Sequence, residues 1–163
     1  MFVVFAGSLV RGAGTTLPTM ESHVVPIMTT ADVVVALAVP IVVVCLVSLI
    51  PEPARRRFMA IGVAGAGATY LNGGFGPWEL VFCGVATWVA YRGLESYTWI
   101  GVAWLMHTAW DLAHHLWGNP ILAFMPSSSA GCAITDALIA VWFLRGAPSV
   151  YGVFRHEGVV PAK

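Results

Sequence analysis

Apolar residues run along the chain in long blocks, each closed by proline, glycine or arginine, and the blocks predict helices rather than strands. The first runs from about Ala31 to Ile50 and stops at Pro51-Glu-Pro53, with Arg55, Arg56 and Arg57 behind it. The second runs from about Phe58 to Leu71 and ends in the turn Asn72-Gly-Gly-Phe-Gly-Pro77. Its small residues, Ala60, Ala64 and Ala68 with Gly62 and Ala66, recur at a spacing that lets helix backbones approach closely. The third runs from about Trp78 to Tyr91, with Pro77 suited to a first helical position. The fourth, about Tyr97 to Trp117, ends at Gly118-Asn-Pro120, and the fifth, about Ser129 to Leu144, ends before Gly146-Ala-Pro148. Between these two, Ile121 to Met125 is apolar but too short to cross a bilayer, and is expected to dip into its interface.

Composition turns these helices into expected spans. Of the 163 residues, 58% are hydrophobic and 10% are Asp, Glu, Lys or Arg, against about 25% charged in an ordinary soluble domain. There is too little charge to cover a globular surface in water. The expected class is all-α, a multi-pass transmembrane helical bundle of about five spans, covering residues 31–148. A β-barrel is excluded because the apolar runs are continuous rather than alternating. Residues 149–163 read as a C-terminal tail. Residues 1–30 read as an N-terminal tail, either loose or lying upstream of a true start at Met20 or Met28, because Phe2 to Val10 lacks the basic flank of a signal peptide.

Charge then orients the spans. Net charge is zero, so nucleic acid is not an expected partner. Basic residues follow the first span (Arg55, Arg56, Arg57), the third (Arg92) and the fifth (Arg145, Arg155, Lys163), and are absent after the second and fourth. The positive-inside rule therefore expects an integral inner-membrane protein with its N-terminus outside and its C-terminus cytoplasmic. Arg11 alone opposes this, far from the first span. Trp78, Trp99, Trp117 and Trp142 fall near span ends, as interfacial anchors do. Cys45, Cys83 and Cys132 lie within apolar runs without a paired pattern and read as small buried hydrophobes.

In this orientation the intramembrane polar residues share one depth. His107 falls near mid-membrane, and Asp111 lies about 6 Å further out at 1.5 Å per residue, with His114 and His115 beyond it. Glu79 and Cys132 are expected in the same outer half, and Asp136 near the middle. Ionisable groups at that depth cost roughly 2.5 to 3.5 kcal/mol each, so a cluster needs a chemical reason. On a helix, His107, Asp111, His114 and His115 share one face with Trp104. The leading reading is a metal site in which His107, Asp111 and His114 bind one divalent transition metal, zinc or iron, with His115 orienting or replacing a ligand. A second is metal-free acid–base catalysis by Asp111, His115, Asp136 and Glu79 on a lipid-like or small hydrophobic substrate. A third is hydrogen bonding that fixes the bundle, or a path for protons or solute, for which so small a chain could assemble as a homo-oligomer. Glu79, close to a span end, reads more naturally as solvated. Ser127, Ser128 and Ser129 enter the fifth span and read as helix caps, with an anion-holding terminus as the alternative. No serine-nucleophile elbow, phosphate loop, dinucleotide fingerprint or His-Glu-x-x-His is present.

The stretches Ala64-Gly-Ala-Gly-Ala-Thr-Tyr-Leu-Asn-Gly-Gly74, Tyr91-Arg-Gly-Leu-Glu-Ser-Tyr97, His107-Thr-Ala-Trp-Asp-Leu-Ala-His-His-Leu-Trp-Gly-Asn-Pro120 and Ser127-Ser-Ser-Ala-Gly-Cys-Ala-Ile-Thr-Asp136 resemble a family of small integral membrane proteins catalogued as a domain of unknown function. The resemblance implies a multi-pass membrane protein from the first span to Pro148 and carries over no activity and no functional residue.

The charge alternation makes one prediction. A reporter fused after Lys163 is active in the cytoplasm, and periplasmic activity there would remove the basis for an outward-facing site.

Overall fold

The computed structural model describes residues 25–72 and 74–152. The expectations that concern the tails before and after these residues, including Arg11, Met20, Arg155 and Lys163, lie outside the described residues. Five helices make up the fold, α1 (Thr30–Val47), α2 (Ala54–Ala66), α3 (Pro77–Gly93), α4 (Tyr97–Trp117) and α5 (Ser128–Leu144), and a 3-10 segment, Gly67–Asn72, continues α2. No strand occurs among the described residues, as the apolar blocks predict.

Local sequence explains the helix ends. Thr29 and Asp32 form a reciprocal capping box at the start of α1: the Asp32 N–H donates to Thr29 Oγ1 at 3.2 Å and the Thr29 N–H to Asp32 Oδ2 at 2.8 Å. Pro77 opens α3, where its missing N–H costs nothing. Two boundaries differ from the expectation. The Arg55-Arg56-Arg57 run belongs to α2 rather than to a preceding loop, and α2 tightens to 3-10 winding after Ala66 instead of continuing as α-helix to Leu71. Residues 121–125 are turns and bends laid over the start of α5.

α1 is the one described helix long and apolar enough to cross a membrane by length and composition, with mean hydropathy 2.7. α5 is apolar but spans 17 residues. α4 has 21 residues, and the polar groups at His107, Asp111, His114 and His115 dilute its hydropathy.

The helices alternate in direction. Ser149 Oγ donates to Ser48 O at 3.2 Å, placing the ends of α1 and α5 together. Thr135 Oγ1 donates to Ala36 O at 3.0 Å, so the two helices run parallel. α4 makes its largest contact with α5, and also packs on α3 and α2, leaving α1 at the edge against α5. Val63, Ile100, Ala103, Ile139 and Phe143 form the apolar centre. Gly101 sets the α4–α5 distance: a Cβ there would lie 2.7 Å from Leu144 Cγ and 3.2 Å from Ala140 O. The small-residue series of α2 is only partly a contact face. Ala60 is buried, whereas Gly62 and Ala68 are exposed and a Cβ on Gly62 would meet nothing within 4 Å.

The arginines join the far ends of three helices. Arg55 is buried, and donates from Nε to Ile50 O at 3.0 Å and from Nη1 to Ala147 O at 2.9 Å, with Glu52 3.5 Å away. Arg56 Nε donates to Leu94 O at 3.1 Å. Carbonyls just past helix C-termini lack intrahelical donors and carry partial negative charge, so a guanidinium satisfies both needs.

Gly101→Val should lower the thermal unfolding midpoint in detergent, by overpacking worth about 1–3 kcal/mol. Gly62→Ala, placed in open space, should leave it unchanged or raise it through helix propensity. Equal effects at the two positions would contradict the close α4–α5 approach.

Candidate functional site

α4 buries His107, Asp111 and His114, and each meets a side chain from another segment. The 3-10 winding of Gly67–Asn72 turns about 120° per residue instead of 100°. By Tyr70 the difference amounts to most of a right angle, and the ring lies against α4. Tyr70 Oη donates to Asp111 Oδ1 at 2.5 Å, the short end of the range for a hydroxyl on a carboxylate. His107 Nδ1 lies 3.2 Å from the same Oη. The phenol has one proton, which the short contact assigns to Asp111. His107 Nδ1–H then donates to the Tyr70 oxygen, and Nε2 is left as a bare acceptor. The Val63 backbone carbonyl also approaches the ring, where it can accept from a ring N–H, although Nε2 has no aligned hydrogen-bond partner.

From α5, the carboxyl of Asp136 meets that of Asp111. A carboxyl–carboxyl contact is a hydrogen bond only when a proton lies between the two, and no fixed donor in the protein reaches Asp111 Oδ2. Cys132, one turn earlier on α5, lies within electrostatic range of both carboxyls. The continuous set is thus His107, Tyr70, Asp111 and Asp136, with Cys132 beside it. His107 is 1% exposed and Asp111 0%.

A second cluster lies toward the end of the bundle where α3 and α5 begin. Glu79 is 2% exposed rather than solvated as its position near a helix end suggested. Its Oε1 accepts from the Gly74 and Phe75 N–H groups at 3.1 Å each, and its Oε2 from Trp110 Nε1 at 2.9 Å. His114 Nε2 lies 3.1 Å from Glu79 Oε1, an ion-pair separation without hydrogen-bond alignment, and His114 Nδ1 donates to Asn119 O at 3.1 Å. Gly118 makes room for this ring, since a Cβ there would sit 2.9 Å from His114 Nδ1. Tyr70 stacks on His114 at 5.5 Å between centroids and lies 5.4 Å from His107, so its ring separates the two clusters. Phe75, Phe82 and Trp110 close the rest of the wall. A gap of about 10 Å³ between Tyr70, His114 and Asn119 suits one water.

This geometry sorts the expected residues. Asp111 and Asp136 come together, and His107 joins them through Tyr70. His114 and Glu79 form a separate pair. His115 is half-buried with Nδ1 unpartnered, and Trp104 stands 5.6 Å from His107 on the face it was expected to share. The donor set does not fit a single metal: among the described residues no three His, Cys, Asp or Glu side chains are gathered to hold one, because His114 is turned toward Glu79 and Asn119. The serines act otherwise than as caps. Ser127 makes no side-chain cap to α5, while Ser128 Oγ accepts from the Leu122 N–H at 3.0 Å and Ser129 Oγ from the Ile121 N–H at 3.2 Å, holding the preceding loop down. Tyr70 and Trp110 escaped the sequence reading. An aromatic hydroxyl at the depth of Asp111 was the available signal for Tyr70, but its direction depends on the 3-10 winding.

Glu79→Leu should destabilise the fold strongly, since it strands three donors at a cost of about 1–3 kcal/mol for each buried unsatisfied group. Glu79→Gln, which keeps acceptor capacity, should cost less in thermal melts. If the two substitutions cost the same, the hydrogen bonds are not what holds this end.

No curated protein and no solved structure matches the chain. A family model described as a family of unknown function matches residues 31–149, most of the chain. The chain therefore belongs to the family of unknown function DUF6010.

Proposed function

We propose that the protein is a multi-pass membrane protein whose buried His107–Tyr70–Asp111–Asp136 set carries out acid–base chemistry on a lipid-like or small hydrophobic substrate. Its polarity is inverted relative to a water-soluble domain. Glu79, His107, Asp111, His114 and Asp136 are inside, while Val34, Ile41, Ile61, Leu80, Trp88 and Leu138 are among the large apolar side chains exposed on the outside. Exposed apolar surface on every helix is a liability in water and the expected lining against lipid. Trp78 and Trp117, exposed at the end where α3 begins and α4 stops, suit an interfacial belt. With the arginine-rich end cytoplasmic, the site faces the outer half of an inner membrane.

The observation that carries the catalytic reading is a buried set joined through Tyr70, with His107 Nε2 lacking an aligned hydrogen-bond partner at one end and the Asp111–Asp136 carboxyl contact at the other. Buried polar atoms without partners are costly and rare. An acceptor nitrogen at one end and a proton-sharing carboxyl pair at the other are the equipment of a general base and a general acid. Proton transfer needs no group beyond these side chains: a proton leaves one substrate atom for His107, and the Asp111/Asp136 pair delivers one to another. The proton taken by His107 returns to the carboxyl pair through the Tyr70 hydroxyl, which contacts both, so an isomerisation of this kind balances with no further reactant.

The test is solvent deuterium. Protein in vesicles of native lipid extract, incubated in deuterium oxide, should introduce non-exchangeable deuterium into one lipid class by mass spectrometry. Asp111→Asn and His107→Ala should each abolish that, with the fold intact by melting. Absence of incorporation together with Asp111-dependent proton flux into the vesicles would replace catalysis by proton-coupled transport. Stoichiometric zinc or iron in gently purified protein, lost with His107→Ala, would replace it by the metal-dependent reading.

A further inference from the structure

An apolar cavity of about 250 Å³ lies between α1 and α5, away from the interior of the four-helix group α2–α5. Its walls are Val35 and Val39 of α1, Leu122 and Met125 of the loop before α5, and Gly131 and Cys132 of α5. Val35 and Val39 remain 53% and 41% exposed, so the space is a groove open to the outer surface, with room for a hydrocarbon chain laid along it. Asp32, Ser127 and Ser128 form a polar rim at one end, while Thr135 toward the other end has its hydroxyl donated to Ala36 O at 3.0 Å. Asp32 interacts with Ser127 there, and Ser128 Oγ holds the loop through the Leu122 N–H. Along α1 the cavity runs from Asp32 to Val39, about 10 Å at 1.5 Å per residue.

Two features say what fits it. The wall formed by α1 belongs to the least buried helix, whose other faces expose Val33, Val34, Leu37, Ile41 and Val42, so the cavity adjoins the surface that lipid would cover. α1 is held to the bundle through α5, which leaves the α1–α5 seam as a lateral way in. The other feature is Cys132, which lines the cavity and sits one helical turn from Asp136, on the wall between the cavity and the carboxyl pair.

We infer that this cavity binds the single hydrocarbon chain of an amphipathic lipid, entering between α1 and α5 with its polar head at the Asp32–Ser127 rim, and that it presents a chain carbon to the acid–base site past Cys132. The inference rests on the catalytic reading for its last clause and stands without it for the binding. The occupant has one chain rather than two, because about 250 Å³ spread over about 10 Å of α1 leaves a section of about 25 Å², room for one extended chain.

Gly131 supplies the test. It lines the cavity, and a Cβ at this position would meet no atom within 4 Å. Gly131→Leu therefore starts from an uncrowded Cβ, projects into the groove and favours the helix, so it should fold at least as well as the parent chain. The parent protein in detergent should bind the fluorescent single-chain fatty acid cis-parinaric acid beyond its partition into empty micelles. Gly131→Leu should weaken that binding by about tenfold or more, with an equal or higher melting midpoint. Asp111→Asn should bind the chain normally. Unchanged binding in Gly131→Leu, or none in the parent, would overturn the inference. The two readings fail separately: chain binding without Asp111-dependent deuterium leaves the cavity standing alone, whereas deuterium transfer that persists in Gly131→Leu leaves the acid–base site and overturns the clause that the cavity feeds it.

Discussion

The hydrogen bond from Tyr70 to Asp111 is the contact on which the interior depends. α4 carries three buried polar side chains, and an ionisable group can be buried only against a partner that replaces water. Asp111 draws one such partner from the 3-10 extension of α2 and another, Asp136, from α5. Three segments distant in sequence are thereby fixed at one point, and the same phenol orients His107. His114 repeats the arrangement with Glu79 of α3. Every helix of the α2–α5 group thus reaches α4 through a polar contact as well as an apolar one, which ties the register of the bundle to its chemistry.

The two ends of the bundle are closed by different means. At one end, Arg55 and Arg56 gather carbonyls beyond the C-termini of α1, α3 and α5. At the other, backbone N–H groups are gathered by oxygens: Glu79 takes those of Gly74 and Phe75, and Ser128 and Ser129 take those of Leu122 and Ile121. The carbonyls at the first end lie just past the C-termini of α1, α3 and α5, where intrahelical donors run out, whereas the N–H groups at the second belong to the loops that precede α3 and α5. The arginines Arg55 and Arg56 thus act as structural donors that close one end of the bundle.

α1 stands apart from this network. It joins α5 through Thr135 and Ala36 and through the Ser48–Ser149 contact, and contributes nothing to the buried polar set. That separation lets an apolar cavity exist beside a tightly filled polar centre, in which the gap at His114 is no larger than about one water.

Much of this was legible in the chain. Apolar block lengths and the prolines and glycines between them predicted five helices, because a helix must end where its backbone pattern is broken. The 100° spacing of His107, Asp111 and His114 predicted their common face, and shared depth predicted the meeting of Asp111 with Asp136. Other features arise only when helices pack. Spacing brought His114 to the face of His107, but rotamer and neighbours turned it toward Glu79 and Asn119. Glu79 looked solvated because its three donors, the Gly74 and Phe75 N–H groups and Trp110, include one that lies 31 residues away. Tyr70 was invisible as a site residue because its direction is set by 3-10 winding, which no side-chain pattern encodes. Periodicity is a property of one helix, and so it can be read from one segment of sequence. The partner of a buried polar group is a property of two segments, and only the tertiary structure decides it.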